Sequence, residues 1–197
     1  MSVLVKICGL SDAQHVDAAI EAGANAVGFV FAKSVRQVSP QQAASISSGV
    51  PAHIKRVAVM LHPTDDEWQQ VLSIFVPDVL QTDAGDFAAL KVPESVEQWR
   101  VYREGAGQVV ATGRYIYEGA KSGQGEMVDW SVAANVAKGG NMILAGGLSA
   151  ANVAEAIATV EPYGVDVSSA VESAPGRKSI RLINEFVSAV RAAERTL

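Results

Sequence analysis

Lys6-Ile7-Cys8-Gly9-Leu10 closes the first apolar run of the chain and carries its only cysteine. Val3-Leu4-Val5-Lys6-Ile7 reads as a short buried strand, and strand side chains alternate between faces. Leu4, Lys6 and Cys8 then share one face and Val5 and Ile7 the other, which sets a thiol beside an ammonium at the C-terminal end of the strand. A neighbouring cation favours the thiolate, the reactive form. A lone cysteine among apolar residues is otherwise a small buried hydrophobe. A second reactive group ends another strand-like stretch, Tyr115-Ile116-Tyr117-Glu118, where Arg114, Ile116 and Glu118 share a face. Small-residue loops form a third set. Gly146-Gly147 and Ser168-Ser169-Ala170 each follow strand-like and precede helix-like sequence, and Ser122-Gly123-Gln124-Gly125 follows Glu118. Small residues let backbone N–H groups approach an anion, and helix N-termini add a favourable dipole. One such loop is equally well a tight turn; the three together point to a phosphate site.

The elements that must position these groups alternate. Helices are expected over about 12–22 (N-cap Ser11, stop Gly23), 40–47 (N-cap Ser39 before Pro40), 65–75 (entered through Thr64), after Asp129-Trp130, over 150–158 and over 179–195. The last should bury Ile180, Ile183, Phe186, Val187 and Val190. Strands are expected over 3–7, 26–31, 55–60, 78–81, 98–102, 115–118, 142–145 and 164–167. Phe87 to Leu90 gives at most a helical turn, and Gly105, Gly107 and Gly113 leave a fifth helix short or missing. Eight strands separated by crossovers imply a parallel sheet. The chain reads as one α/β domain over residues 1–197, a (β/α)8 barrel with about 25 residues per unit, the short end for that fold. An open doubly wound sheet is the weaker alternative, since no Gly-x-Gly-x-x-Gly follows the first strand. In a barrel, the C-terminal strand ends are where active sites are built.

Composition bounds the function. Apolar residues make up 49% and charged residues 19% of the 197, as in a globular protein, and a net charge of −5 argues against generic nucleic-acid binding. One cysteine allows no internal disulfide, which fits a reducing cytoplasm. No secretory leader pattern opens the chain and no run of about 18 apolar residues occurs, so no membrane partner is expected. No Cys/His cluster has zinc-ligand spacing. His15, His53 and His62 lie far apart, with surface or second-layer roles expected. No metal or cofactor is expected, and a monomer is the default for one barrel of this size.

Together the segments resemble the phosphoribosylanthranilate isomerase family of tryptophan biosynthesis. They are Lys6-Ile7-Cys8-Gly9-Leu10, Gly28-Phe29-Val30-Phe31 with Lys33 to Pro40, Ser122-Gly123-Gln124-Gly125 with Asp129-Trp130, Ala145-Gly146-Gly147-Leu148 with Asn152-Val153, and Gly164-Val165-Asp166-Val167-Ser168-Ser169. They occur in the family's order across nearly the whole chain. The resemblance implies a cofactor-independent Amadori rearrangement of a phosphorylated small molecule, N-(5-phosphoribosyl)anthranilate, from aminoaldose to aminoketose. It makes Cys8 the general base and Glu118 the general acid. Arg36 would contact the anthranilate and Asp166 orient its amino group. Gly123, Gly125, Gly146, Gly147, Ser168, Ser169 and Ala170 would bind the phosphate.

The chain departs from the family pattern in three places. Glu118 stands where an aspartate is usual, Gln81-Thr82-Asp83-Ala84-Gly85 lacks the usual histidine, and Ala170 replaces a glycine. Two other functions stay open on these residues: another phosphosugar aldose–ketose isomerase on the same barrel, or a phosphate-ligand-binding relative without turnover. The related Amadori isomerase of histidine biosynthesis is disfavoured, because Cys8 stands where that family has an aspartate base and the halves show no repeat.

Overall fold

The computed structural model describes residues 2–110, 113–120 and 127–195. Eight parallel strands close into a barrel in chain order: β1 (Leu4–Cys8), β2 (Ala26–Val30), β3 (Lys55–Val59), β4 (Val79–Asp83), β5 (Glu97–Arg103), β6 (Arg114–Glu118), β7 (Asn141–Leu144) and β8 (Gly164–Val167). Closure comes from β1 pairing with β8, with Lys6 opposite Asp166. This is the expected (β/α)8 architecture.

Six helices cover the barrel: α1 (Ala13–Ala22), α2 (Pro40–Ile46), α3 (Asp65–Phe75), α4 (Trp130–Ala137), α5 (Val153–Val160) and α6 (Ile180–Glu194). Their starts follow local hydrogen-bonding chemistry. Ser39 accepts from Gln42 N ahead of Pro40, and Thr64 forms a reciprocal capping box with Glu67. Asp129 caps α4 through Ser131 N. The expected Ser11 cap is displaced by one residue: the Asp12 carboxylate accepts from Gln14 N, so α1 begins at Ala13. Helix α5 begins three residues later than expected because the Asn152 side chain turns back into the preceding loop. Ile180, assigned to the buried stripe of α6, is 36% exposed because it sits at the first turn, beyond the reach of the sheet; Ile183, Phe186, Val187 and Val190 are buried. After β4 only a 3-10 turn, Asp86–Ala88, forms, and among the described residues no helix lies between β5 and β6. A short hairpin, β9 (Glu172–Ala174) with β10 (Arg177–Lys178), follows β8 and was not expected.

Strand alternation splits the core in two. Val5, Ile7, Val27, Phe29, Leu80, Tyr115 and Leu144 face outward against the helices in the larger cluster. Ala26, Val57, Val79, Trp99, Ile116 and Ile143 fill the barrel interior. No helix among the described residues is long and apolar enough to cross a membrane.

Candidate active site

The alternation read from β1 holds: Val5 and Ile7 face the helices, so Lys6 and Cys8 point into the barrel. Lys6 is fully buried, and its Nζ donates to Asp166 Oδ2 at 2.8 Å. Register makes this contact, since residues paired across parallel strands share a face and Lys6 lies opposite Asp166. Burial works against the ammonium, but Asp166 and Cys8 outweigh it and hold the Lys6 pKa above the usual lysine value. The lysine therefore pairs with a carboxylate first. Burial pushes the Cys8 thiol up, and the opposing pull of Lys6 does not reverse that.

Space for two long side chains here comes from β2. Gly28 pairs with Cys8, and a Cβ at that position would stand 3.1 Å from both Cys8 Sγ and Lys6 Cε. At the strand's end, Gly9 takes φ +75°, a conformation glycine adopts without strain. A Cβ there would lie 2.6 Å from Arg36 Cδ, so Gly9 also lets the Arg36 stem cross the end of β1.

A cavity of about 210 Å³ opens over these groups at the C-terminal ends of the strands. Its wall includes Cys8, Arg36, Glu118, Gly146, Gly147, Asp166, Ser168 and Ser169. Eight of the eleven residues singled out from sequence are thus brought together. Gly123 and Gly125 lie outside the described residues. Ala170 is exposed in the 3-10 turn Ser169–Val171, next to Ser169, the last of these residues in the cavity wall.

The two loops flanking this end are pinned by side chains. Asn152 accepts from Ser149 N at 2.7 Å and donates to Gly147 O at 2.9 Å, fixing the turn made by Gly146 and Gly147, which have φ of +92° and +66°. Ser168 Oγ donates to Cys8 O at 3.1 Å. Lys178 Nζ, buried, donates to Ser168 O and to Glu172 Oε1, both at 2.8 Å. Glu172 also receives Arg36 in a two-pronged contact, Nε at 2.6 Å and Nη2 at 3.0 Å. Against the effect of its burial, Arg36 and Lys178 hold the Glu172 carboxyl below the usual carboxylate range.

Against models of protein families, residues 5–189 match N-(5'-phosphoribosyl)anthranilate isomerase. The chain is 36% identical over 210 residues to N-(5'-phosphoribosyl)anthranilate isomerase of Listeria welshimeri, covering 98% of this chain and all of the relative. It is also 36% identical to the Bordetella pertussis enzyme, with 98% of each covered. The chain belongs to the N-(5'-phosphoribosyl)anthranilate isomerase family. Solved structures agree. TrpF from Jonesia denitrificans is 31% identical, with 98% of each chain covered and a TM-score of 0.84. A phosphoribosylanthranilate isomerase in complex with reduced 1-(o-carboxyphenylamino)-1-deoxyribulose 5-phosphate is 27% identical, covers 96% of this chain and 99% of its own, and has a TM-score of 0.78. The protein is accordingly an isomerase of the aldose–ketose type.

Four residues at this end of the family barrel escaped the sequence reading as site residues. Gln81 is buried in the cavity wall, and its Oε1 makes no hydrogen bond among the described residues. Its signal was present: an amide two residues on from Val79, at the end of an apolar strand. Lys178 and Glu172 gave no signal, because both come from a hairpin that propensity did not suggest. Arg103 ends β5 with Nε 3.2 Å from Glu118 Oε1 and Nη1 on Asp83 Oδ2.

Proposed function

We propose that the protein converts N-(5'-phosphoribosyl)anthranilate to 1-(o-carboxyphenylamino)-1-deoxyribulose 5-phosphate, with Glu118 as general acid and Cys8 as general base. Glu118 gives a proton to the ribose ring oxygen. The C1'–O4' bond breaks as the anthranilate nitrogen lone pair forms the C1'=N iminium. Cys8 thiolate then takes the C2' proton, and that electron pair neutralises the iminium as the enolamine, which ketonises to the product. Each correctly placed acid or base contributes about 10²–10⁴-fold. The observation that carries the proposal is that Cys8 and Glu118 line one cavity, with Gly146-Gly147 and Ser168-Ser169 beside them.

The partners of the remaining groups support their roles. Asp166 Oδ2 is taken by Lys6, while buried Oδ1, which has no hydrogen bond among the described residues, is left to accept the substrate's amino N–H. Arg36 spends Nε and Nη2 on Glu172, which leaves Nη1 to meet the anthranilate carboxylate. The Cys8 thiolate is scarce because burial raises the thiol's pKa, and Lys6 beside it favours the charged form. Two glycines and two serines at the mouths of β7 and β8 provide backbone N–H groups for the phosphate. We place the protein in the cytoplasm as a monomer; its single cysteine and single barrel support that reading.

The test is a turnover assay of purified protein with N-(5'-phosphoribosyl)anthranilate, following aminoketose formation by chromatography. Cys8→Ser and Glu118→Ala should each lose about 10²–10⁴-fold in kcat. Full activity in Cys8→Ser would sink the base assignment. Tight binding of a product analogue without turnover in the wild type would sink the catalytic reading as a whole.

A further inference from the structure

Glutamate at position 118 carries one more rotatable bond than the aspartate usual in the family, so its carboxyl needs more holding to stay at one spot. The structure provides a holder. Arg103 and Glu118 are direct register partners on β5 and β6, so their side chains lie side by side on the inner face. Arg103 Nε is 3.2 Å from Glu118 Oε1, an ion-pair contact outside hydrogen-bond geometry. The other end of the guanidinium, Nη1, donates to Asp83 Oδ2, from the end of β4. Asp83 and Arg103 are each only 17% exposed, and Glu118 15%. Glu118 reaches the cavity wall, and neither Arg103 nor Asp83 does. The arginine is therefore a brace behind the acid rather than a substrate contact. Asp83 and Glu118 thus meet on one guanidinium.

We propose that Arg103, anchored by Asp83, is a positioning residue that fixes the Glu118 carboxyl at the cavity mouth. The planar guanidinium suits this better than a lysine would, because one nitrogen can be fixed by Asp83 while another faces Glu118. The inference rests on the reading of Glu118 as the acid.

The experiment measures kcat and KM with N-(5'-phosphoribosyl)anthranilate for Arg103→Gln, Glu118→Gln and the double variant. Arg103→Gln should lower kcat by about tenfold or more through misplacement of the acid, with KM within about twofold. In the Glu118→Gln background the same change should move kcat by less than about twofold, since residues acting as a unit are not additive. The inference is overturned if Arg103→Gln keeps kcat within twofold of wild type, or if it costs the same factor in both backgrounds. Failure of the acid assignment looks different: Glu118→Gln alone would then retain wild-type kcat. Asp83→Asn keeps the guanidinium and loosens its anchor. It carries the test should Arg103→Gln not fold: a fall in kcat at constant KM supports the brace, and an unchanged kcat refutes it.

Discussion

Replacing Lys6 by Met removes a fully buried ammonium and leaves the Asp166 carboxylate behind, itself only 9% exposed. In the described structure that carboxylate has one hydrogen-bond partner, Lys6 Nζ at 2.8 Å, and its Oδ1 has none. Breaking a buried pair by deleting one partner costs about 3–5 kcal/mol, because the charge left behind is uncompensated. For a chain of this length that is a fall in Tm of about 6–20 °C. The cost must depend on pH, and its sign follows from linkage. Burial raises the Asp166 pKa, and Lys6 and then Lys178 oppose the rise; without Lys6 only the smaller pull of Lys178 is left against burial. The folded variant then holds a proton at pH values where the unfolded chain has lost it. Stability of the variant falls as pH rises above the ordinary carboxylate range, by up to about 1.4 kcal/mol per pH unit, until the full penalty is reached. Thermal melts followed by circular dichroism at pH 5 and pH 8 would read this directly. The deficit against wild type should be small at pH 5 and full at pH 8. Adding Asp166→Asn removes the stranded charge and should recover most of the loss. An equal deficit at both pH values, or a double variant no more stable than Lys6→Met, would refute the buried-pair reasoning.

Other consequences follow from the same geometry. Gly28→Ala puts a methyl group 3.1 Å from Cys8 Sγ and Lys6 Cε; overpacking of this kind costs about 1–3 kcal/mol, and kcat should fall together with the denaturant midpoint. Asp166→Asn removes a charge that raises the Cys8 pKa while leaving Lys6, which lowers it. Iodoacetamide alkylation of the sole cysteine should therefore speed up at pH 7.5, by about tenfold for each pH unit that the thiol's titration moves down; an unchanged rate contradicts the assignment. The hydrogen bond that the Asp86 carboxylate accepts from the His62 ring raises the His62 pKa above the ordinary value of 6.5. Its stabilising effect is complete below the unfolded value and disappears as pH rises through the folded one. NMR titration should find the His62 midpoint above 6.5, moving down in Asp86→Asn. Glu172→Gln strips the shared carboxylate from Arg36 and Lys178, so KM for the substrate should rise severalfold as Arg36 loses its hold; unchanged KM would mean that Arg36 is oriented by something else.

The legible part of this protein was the part written in period and punctuation. Strand β8 and helix α3 fall on the expected residues, because Gly164 to Val167 is an unbroken apolar run around one aspartate and Thr64-x-x-Glu67 is a capping box. Alternation in β1 was enough to put Lys6 and Cys8 on one face, and eight parallel strands in chain order bring Cys8, Glu118 and Asp166 to one end. What could not be read was which charge answers which. Nothing local in Glu172-Ser173-Ala174 says that it folds as a hairpin arm and offers its carboxylate to Arg36, 136 residues earlier. Arg103 likewise looks like any cation ending a strand until β4 and β6 are set on either side of it.

Register also explains why the cavity floor is built from a pair and not from lysine alone. Two residues along a strand advance about 6.6 Å, so Lys6 lies one layer below Cys8, with Asp166 beside it on β8. An unpaired lysine in that layer would pull the thiol toward the thiolate and so weaken it as a base, and it would also leave an ammonium buried without compensation. An unpaired aspartate would do the reverse, holding the sulfur protonated. Within the pair the two influences oppose each other, and burial is the largest single cause acting on Cys8. Under the proposed mechanism, the thiolate that takes the C2' proton is then a minor but strongly basic form of the group. The floor can do this only while Gly28 leaves room for both side chains, which ties the chemistry at the mouth to one missing methyl group on the neighbouring strand.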